Sequence, residues 1–349
     1  MLLPEKYDRS EQYSRGDSMD YPVDIIIPWV DGNDPEWRNE KNKYDPNSLA
    51  EEIRFESWDN LQFVFRGIEK HLPWFRYIFF VTWGHLPGWL DINHPKLKVI
   101  RHTDYIPSKY LPTFNSNTIE MNYHRIDELS EHFVLFNDDL YPLQDIPIDY
   151  YFRDGIPCAE SIETHFVLKG IGDADLQIAY ANVNNITIIN DHFNKREVVK
   201  YNHDKWFSPA LGEKMIQNIW MYPWNNFESF VYPHEAKPMR KSVLSAIWDA
   251  EPEKLDRASR NRFRASSDIT QRLISQWQVC SGEYVPRKAL GKIIHANRSN
   301  VEEVLTAIRE KKYPILSINE DSVDDFISIK DQINKALCEV FPDKCSFEK

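Results

Sequence analysis

Apolar residues in this chain come in short β-branched and aromatic runs that end abruptly in acids. Val23–Trp29 (VDIIIPW) runs into Val30-Asp31-Gly32-Asn33-Asp34, and Phe133–Phe136 (FVLF) runs into Asn137-Asp138-Asp139. Continuous apolar runs of this length predict parallel strands buried on both faces. Tyr77–Trp83 (YIFFVTW) and Leu97–Arg101 predict two more strands. Between them the period changes to that of a helix. Ser57 caps a helix from Trp58 to about His71, with Trp58, Leu61, Val64, Phe65 and Ile68 on one face, and a second helix is expected from about Thr118 to Leu129. Residues 38–52 read as a charged loop. Strand–helix alternation predicts an α/β fold with a doubly wound, mostly parallel sheet of Rossmann-like or GT-A-like type and a helical insertion.

Beyond residue 145 the pattern loosens. Ile156–Val167 and Ile186–Ile189 read as strands. Glu213–Met221, Lys241–Asp249, 268–278 (with Ser266 or Ser267 as cap), 300–311 and 323–341 read as helices, and Pro314–Asn319 as a last strand. The expected organisation is a flexible lead over 1–20 and one catalytic unit over 21–349. Its core blocks are 21–143, 192–285 and 313–322, with a variable insertion over about 144–191.

The 349 residues carry a formal net charge of −12, which argues against broad electrostatic binding to nucleic acid. No apolar run approaches the ~20 residues of a membrane span, so any membrane association is expected to be peripheral. Cys158, Cys280, Cys338 and Cys345 form no CxxC pair and read as reduced thiols of a cytoplasmic protein.

Acids at strand ends sit where open α/β sheets bind ligands. Asp31 and Asp34 read either as a nucleotide-contacting loop or as an Asx-rich turn. Asp138 and Asp139 read either as ligands of a divalent cation or as a solvated pair. Neighbours on an extended chain point opposite ways, so they share one cation only if the chain turns there. Glu120, three residues after Asn117, reads as a capping box or as a carboxylate beside substrate. His234, between prolines in Tyr232-Pro-His-Glu-Ala-Lys-Pro238, is placed to take a proton from a hydroxyl near neutral pH. Arg257, Arg260, Arg262 and Arg264 precede the helix expected at 268, where a guanidinium at the N-terminus would clamp phosphate. Ser317–Ser322 (SINEDS) repeats the strand-then-acid theme.

Read in order, these segments resemble the Stealth family of sugar-phosphate transferases. The resemblance lies in Tyr21–Trp37 (YPVDIIIPWVDGNDPEW), in RFESWDNLQFVFRGIEKHLPW, PTFNSNTIE and LFNDDLYPL within 54–143, in VYPHEAKPM and RFRASSDIT within 192–285, and in LSINEDS at 316–322. It implies transfer of a hexose 1-phosphate from a nucleotide sugar to a hydroxyl of an acceptor glycan, with release of nucleoside monophosphate. The family's site residues map onto Glu120, Asn137, Asp138, Asp139, His234 and Arg264. Some members carry Asn at the position of Asp31, and many have Asn-Asp-Asp where this chain has Asn319-Glu320-Asp321.

Taken with the residue chemistry, the expected site has Asp138, Asp139 and Asp321 on Mg²⁺ or Mn²⁺. Trp29, Val30, Asp31, Gly32, Asp34 and Asn137 hold the nucleotide sugar, Arg264 faces the transferring phosphoryl, and Glu120 lies beside the substrate. His234 is the general base, with Asp139 as the rival candidate. The expected partners are a nucleotide-sugar donor and an acceptor oligosaccharide, lipid-linked at the inner membrane face in one reading. Two competing readings remain. One is a metal-dependent GT-A-type glycosyltransferase that releases nucleoside diphosphate. The other is a non-catalytic carbohydrate-binding protein.

Overall fold

The computed structural model describes residues 21–45, 58–167, 173–320 and 325–349. The expected lead over 1–20, the Ser57 cap and Asp321 lie outside the described residues. The central sheet contains β1 (Val23–Trp29), β2 (Ile78–Thr82), β3 (Leu97–Arg101) and β4 (His132–Leu135), all parallel. β5 (Leu140–Pro142) follows β4 directly and belongs to a second sheet. β6 (Lys237–Arg240) closes the central sheet antiparallel to β4, giving the order β6-β4-β1-β2-β3. From β1 the chain winds outward to β3 and then returns to the other side of β1. The C-terminal ends of β1 and β4 therefore flank the point where the winding reverses, and in open α/β sheets that crevice binds ligands.

Both faces of the sheet are buried because alternate side chains enter different cores. Ile25, Ile27, Phe80 and Val134 point into one core, while Ile26, Phe79, Val81, Phe133 and Leu135 point into the other. The first core is covered chiefly by α2 (Leu61–His71), which buries Leu61, Val64, Phe65 and Ile68 as the pattern predicts, while α1 (Pro35–Tyr44) lies outside it and buries Trp37 against Phe114. α1 occupies part of the segment expected to be loop, since Asp34 and Pro35 start a helix there. The 102–131 crossover covers the second core. Besides a single helical turn at His102–Tyr105 it holds α3 (Ser116–Glu120) and 3₁₀ turns in place of the longer helix expected, because Asn122 spends its amide on Thr118 O (2.8 Å) and ends the run.

α4 (Asp173–His192) spans the isoleucines expected to be a strand. Ala181, Asn185, Ile188 and Ile189 are buried at helical spacing, so the 3.6-residue period overrides β-branched propensity. α5 (Lys241–Ala250) and α6 (Arg272–Cys280) pack into the same core. β7 (Gly291–Ala296) and β8 (Ile315–Glu320) pair in parallel, with β8 antiparallel to β5. α7 (Val301–Arg309) and α8 (Phe326–Val340) cover this small sheet. Among the described residues no helix is long and apolar enough to cross a membrane.

Candidate functional site at the strand crossover

The turn after β1 consumes its own acids. Asp34 caps α1 by accepting from Trp37 N (2.7 Å), and Asp31 Oδ1 accepts from Asn33 N (2.8 Å). Arg38 donates to Gly32 O (2.5 Å) and to Asn33 Oδ1 (2.8 Å). Asp31, Gly32 and Asp34 thus shape the loop, and the lining of the cleft comes from Trp29 and Val30 before it and Trp37 and Lys41 after it. Across the cleft Phe114 and Phe263 stack at 5.4 Å, and Trp37 meets Phe114 edge-on at 5.8 Å. The cleft holds about 330 Å³. His102 lines it as a neutral imidazole, because burial lowers its pKa to about 4. An aromatic cleft of this size suits a planar base.

Asn137 and Asp138 line the same cleft, whereas Asp139 faces away from it. The chain does turn here, with Leu140 N donating to Asn137 O (3.4 Å), but Asp139 is drawn to His234 while Asp138 lines the cleft, so the turn does not bring the two acids to one point. Asp139 Oδ2 lies 2.8 Å from His234 Nε2 and accepts from Ser317 Oγ (2.8 Å). It also accepts from the Asn319 amide (2.6 Å), oriented as its neighbours require. Asp139 Oδ1 is buried with no hydrogen-bond partner among the described residues. β8 therefore delivers Ser317 and Asn319, and among the described residues no cluster of three His, Cys, Asp or Glu gathers for a metal.

His234 is fixed by its neighbour. Buried Glu235 accepts from Arg287 (2.7 Å), Tyr150 Oη (2.8 Å), Leu290 N (3.1 Å) and Gly291 N (2.9 Å). Burial alone would raise its pKa, but Arg287 and Lys237 outweigh that and hold it at about 2. Gly291 permits this approach, since a Cβ there would lie 2.6 Å from Glu235 Cβ.

Glu120 and Arg264 reach the cleft by a route different from the one the sequence predicts. Asn115 caps α3, accepting from Asn117 N (3.1 Å), so Glu120 is left outside any capping box and lines the cleft. The helix expected at 268 begins at Arg272, with no side-chain cap from Ser266 or Ser267. Arg264 consequently sits on a loop and not at a helix N-terminus. That loop is pinned by Asp268, which is 2% exposed. Asp268 accepts from Asn115 (3.0 Å), Asn117 (2.9 Å), Asn261 (2.8 Å) and Ala265 N (3.2 Å). The pinning sets Arg264 Nη2 3.3 Å from Ser116 Oγ. Arg260 instead pairs with Asp256 (2.8 Å), Arg262 lies over the Tyr44 ring (4.4 Å), and Arg257 lies on the helix Pro252–Ser259. Glu120 touches the cleft surface but is otherwise enclosed by protein. Burial raises its pKa to about 7, against the opposing pull of Arg264 and Arg272.

Ser116, Glu120, Asn137 and Arg264 also line a second chamber of about 190 Å³. Its further walls include His234, Tyr232, Asn182 and two cations absent from the sequence-based site, Lys237 and Arg272. Both cations lie 4.6 Å from the Tyr232 ring centroid, and burial lowers the Lys237 pKa to about 8. Lys237 was legible as part of the His234 block. Arg272 and Asp268 were hidden by the misplaced helix start.

An enzyme of the α/β transferase class is what this geometry defines. A carboxylate–imidazole pair and a guanidinium flank the boundary between an aromatic cleft and a polar chamber, as transfer between two bound partners requires. Comparison with known proteins gives the family. Residues 21–49 match Stealth protein conserved region 1, and residues 54–158 match conserved region 2. A capsular polysaccharide phosphotransferase, WcwK of Streptococcus pneumoniae, is 35% identical over 333 residues, 94% of this chain and 99% of its own. The receptor polysaccharide phosphotransferase WefC of Streptococcus gordonii is 34% identical, covering 93% and 98%. The exopolysaccharide phosphotransferase cps2G of Lactiplantibacillus plantarum is 30% identical, covering 94% and 97%. A solved glycosyltransferase, GlyE of S. pneumoniae TIGR4, aligns over 89% of this chain and 83% of its own at 9% identity, and its TM-score of 0.22 is too low to inform the fold. The chain belongs to the Stealth family of polysaccharide phosphotransferases.

Proposed function

We propose that this enzyme transfers a hexose 1-phosphate from a nucleotide sugar, UDP-linked in the simplest case, to a hydroxyl of an acceptor glycan. The product is a phosphodiester, the leaving group is nucleoside monophosphate, and the setting is cytoplasmic synthesis of capsular or other cell-surface polysaccharide. The observation that supports this reading most is the shared wall. Arg264 and Glu120 border both the aromatic cleft and the polar chamber. A base in the cleft and a sugar in the chamber would leave the diphosphate between them, at Arg264.

His234 acts as general base. With the Asp139 carboxylate oxygen facing Nε2, that nitrogen carries the proton, and Nδ1 accepts the proton of the attacking hydroxyl. The acceptor oxygen bonds to the sugar-bearing phosphorus, and the bond from that phosphorus to the bridging oxygen breaks. Nucleoside monophosphate leaves with that oxygen. Arg264 stabilises the charge gathering on the phosphoryl oxygens. Asp139 orients His234 rather than competing with it as base.

A divalent cation, Mg²⁺ or Mn²⁺, fits the donor chemistry. Asp138 and Asn137 line the cleft, and one carboxylate with substrate phosphates is a common Mg²⁺ arrangement. Asp138 would hold it, and it would neutralise diphosphate charge. The test is chromatography of the nucleotide released from a panel of UDP- and GDP-hexoses with acceptor and Mg²⁺. UMP or GMP is expected, while UDP or GDP would assign glycosyl transfer instead.

A further inference from the structure

Outside the cleft, the helix Met215–Met221 is turned inside out. Its buried side holds Met221 and a polar anchor: Asn218 donates to Ser161 O (2.8 Å) and Trp206 O (2.7 Å) and accepts from Glu163 N (2.8 Å). Its outer side is apolar. Ile216, Ile219 and Trp220 share one face at i, i+3, i+4 spacing and are 55%, 53% and 70% exposed. A helix on a water-facing surface carries the reverse pattern. The chain then turns through Tyr222-Pro223-Trp224, whose two rings are 47% and 43% exposed. Three large aromatic and two β-branched apolar side chains thus stand in solvent within nine residues.

Cationic side chains border this surface. Arg196 stacks on Tyr222 (5.3 Å) and donates to Pro223 O (2.9 Å), and Lys200 lies over the exposed Tyr201 ring (5.5 Å). From Lys214 to Phe227 the sequence contains no Asp or Glu, in a chain with 54 such residues and a net charge of −12. Chance spacing of the acids would place about two in that stretch. The acids that bound the stretch, Glu213 and Glu228, face Lys288 (3.2 Å) and His165 (2.9 Å), so an anionic surface would meet less repulsion at this face than over the molecule as a whole.

We propose that Ile216, Ile219, Trp220, Tyr222 and Trp224 form a membrane-docking surface that inserts at the headgroup–acyl boundary of an anionic bilayer. Trp and Tyr favour that boundary because one edge of the ring is apolar and the other polar, and Arg196 and Lys200 add attraction to anionic headgroups. The alternative occupant, a second copy of the chain, fits less well. Five side chains are far fewer than the roughly 20–30 residues each side of a stable interface contributes. The docked surface is tied to the site. Asn218 holds the backbone of Glu163, whose strand pairs with Phe230, four residues before His234. The inference rests on this surface alone and holds whichever group the enzyme transfers.

The test is flotation of the full chain with vesicles of phosphatidylcholine alone or with about 30% phosphatidylglycerol. Parent protein is expected to float with the anionic vesicles. The Trp220→Ser/Trp224→Ser variant is expected to lose about tenfold or more in partition, with the same unfolding midpoint and the same nucleotide release from soluble donor. Ile216→Asp/Ile219→Asp serves as a second variant on the helix face, with the same loss expected. Parent that stays with the soluble fraction overturns the proposal, as does a variant that floats as well as the parent. A parent dimer that these substitutions dissociate, with no flotation of either, also overturns it and assigns the surface to a second copy.

Discussion

Burial holds the Glu120 carboxyl near neutrality, with a pKa raised to about 7, and this gives its substitution a sign that depends on pH. The unfolded chain ionises this residue above about 4.5, whereas the folded protein keeps the proton until about 7. The stability it contributes is therefore complete below the unfolded value and is lost as pH rises toward 7. Glu120→Gln should raise the unfolding midpoint by a few degrees at about pH 8, leave it unchanged at about pH 4, and sharply reduce turnover. A midpoint lowered at the higher pH would show that Glu120 is ionised and stabilising there. Arg264→Ala should lower kcat by about 10²–10³-fold with the unfolding midpoint kept, as for loss of a donor to developing charge. Near-parent kcat would remove Arg264 from the chemistry. His234 and Arg264 were legible from residue type and flanking prolines or basic neighbours. The internal work of Asp31 and Asp34 was not, because a turn that bonds its own acids has the same sequence as one that does not.

Between elements, the decisive contact is Asp268 joining the 261–268 loop to α3. It serves four donors from two segments of chain, so Asp268→Ala leaves buried amides unpaired. It should cost about 2–4 kcal/mol in denaturant unfolding, and it should also weaken donor binding by releasing Arg264. Unchanged stability would show that the loop is held by other contacts. Gly291→Ala drives a methyl against Glu235 and should destabilise by about 1–3 kcal/mol while shifting the pH profile set by His234. A pH–rate profile identical to the parent's would break the link between β7 and the His234 loop. Strand positions were legible because buried parallel strands leave continuous apolar runs. Helix starts at 116 and 272 were not. There Asn117 and Ser267 look like caps in the sequence, but Asn117 donates to Asp268, Ser267 accepts from Asn261, and the cap at 116 is Asn115. Ile186–Ile189 within α4 was misread as a strand because its isoleucines are β-branched, and only the burial period separates the two states.

At the scale of the molecule, alternation of strand and helix was enough to predict the parallel sheet, and hence that acids at the ends of β1 and β4 meet at the reversal of winding. The joining of two chambers there was not predictable, since it depends on Ser116 and Glu120, Asn137 and Arg264 arriving at one wall from segments far apart in sequence. If a cation held by Asp138 neutralises the diphosphate, chelation should bring turnover to baseline, and Mg²⁺ should restore it without shifting the unfolding midpoint of donor-free protein. Full turnover in excess chelator would exclude that role. The central claim concerns which bond breaks. A UDP-hexose carrying ¹⁸O between the anomeric carbon and phosphorus distinguishes the outcomes by ³¹P NMR. Phosphoryl transfer leaves the label in the phosphodiester of the product glycan and releases unlabelled UMP. Recovery of the label in released UDP, with no phosphorus in the glycan, would contradict the account.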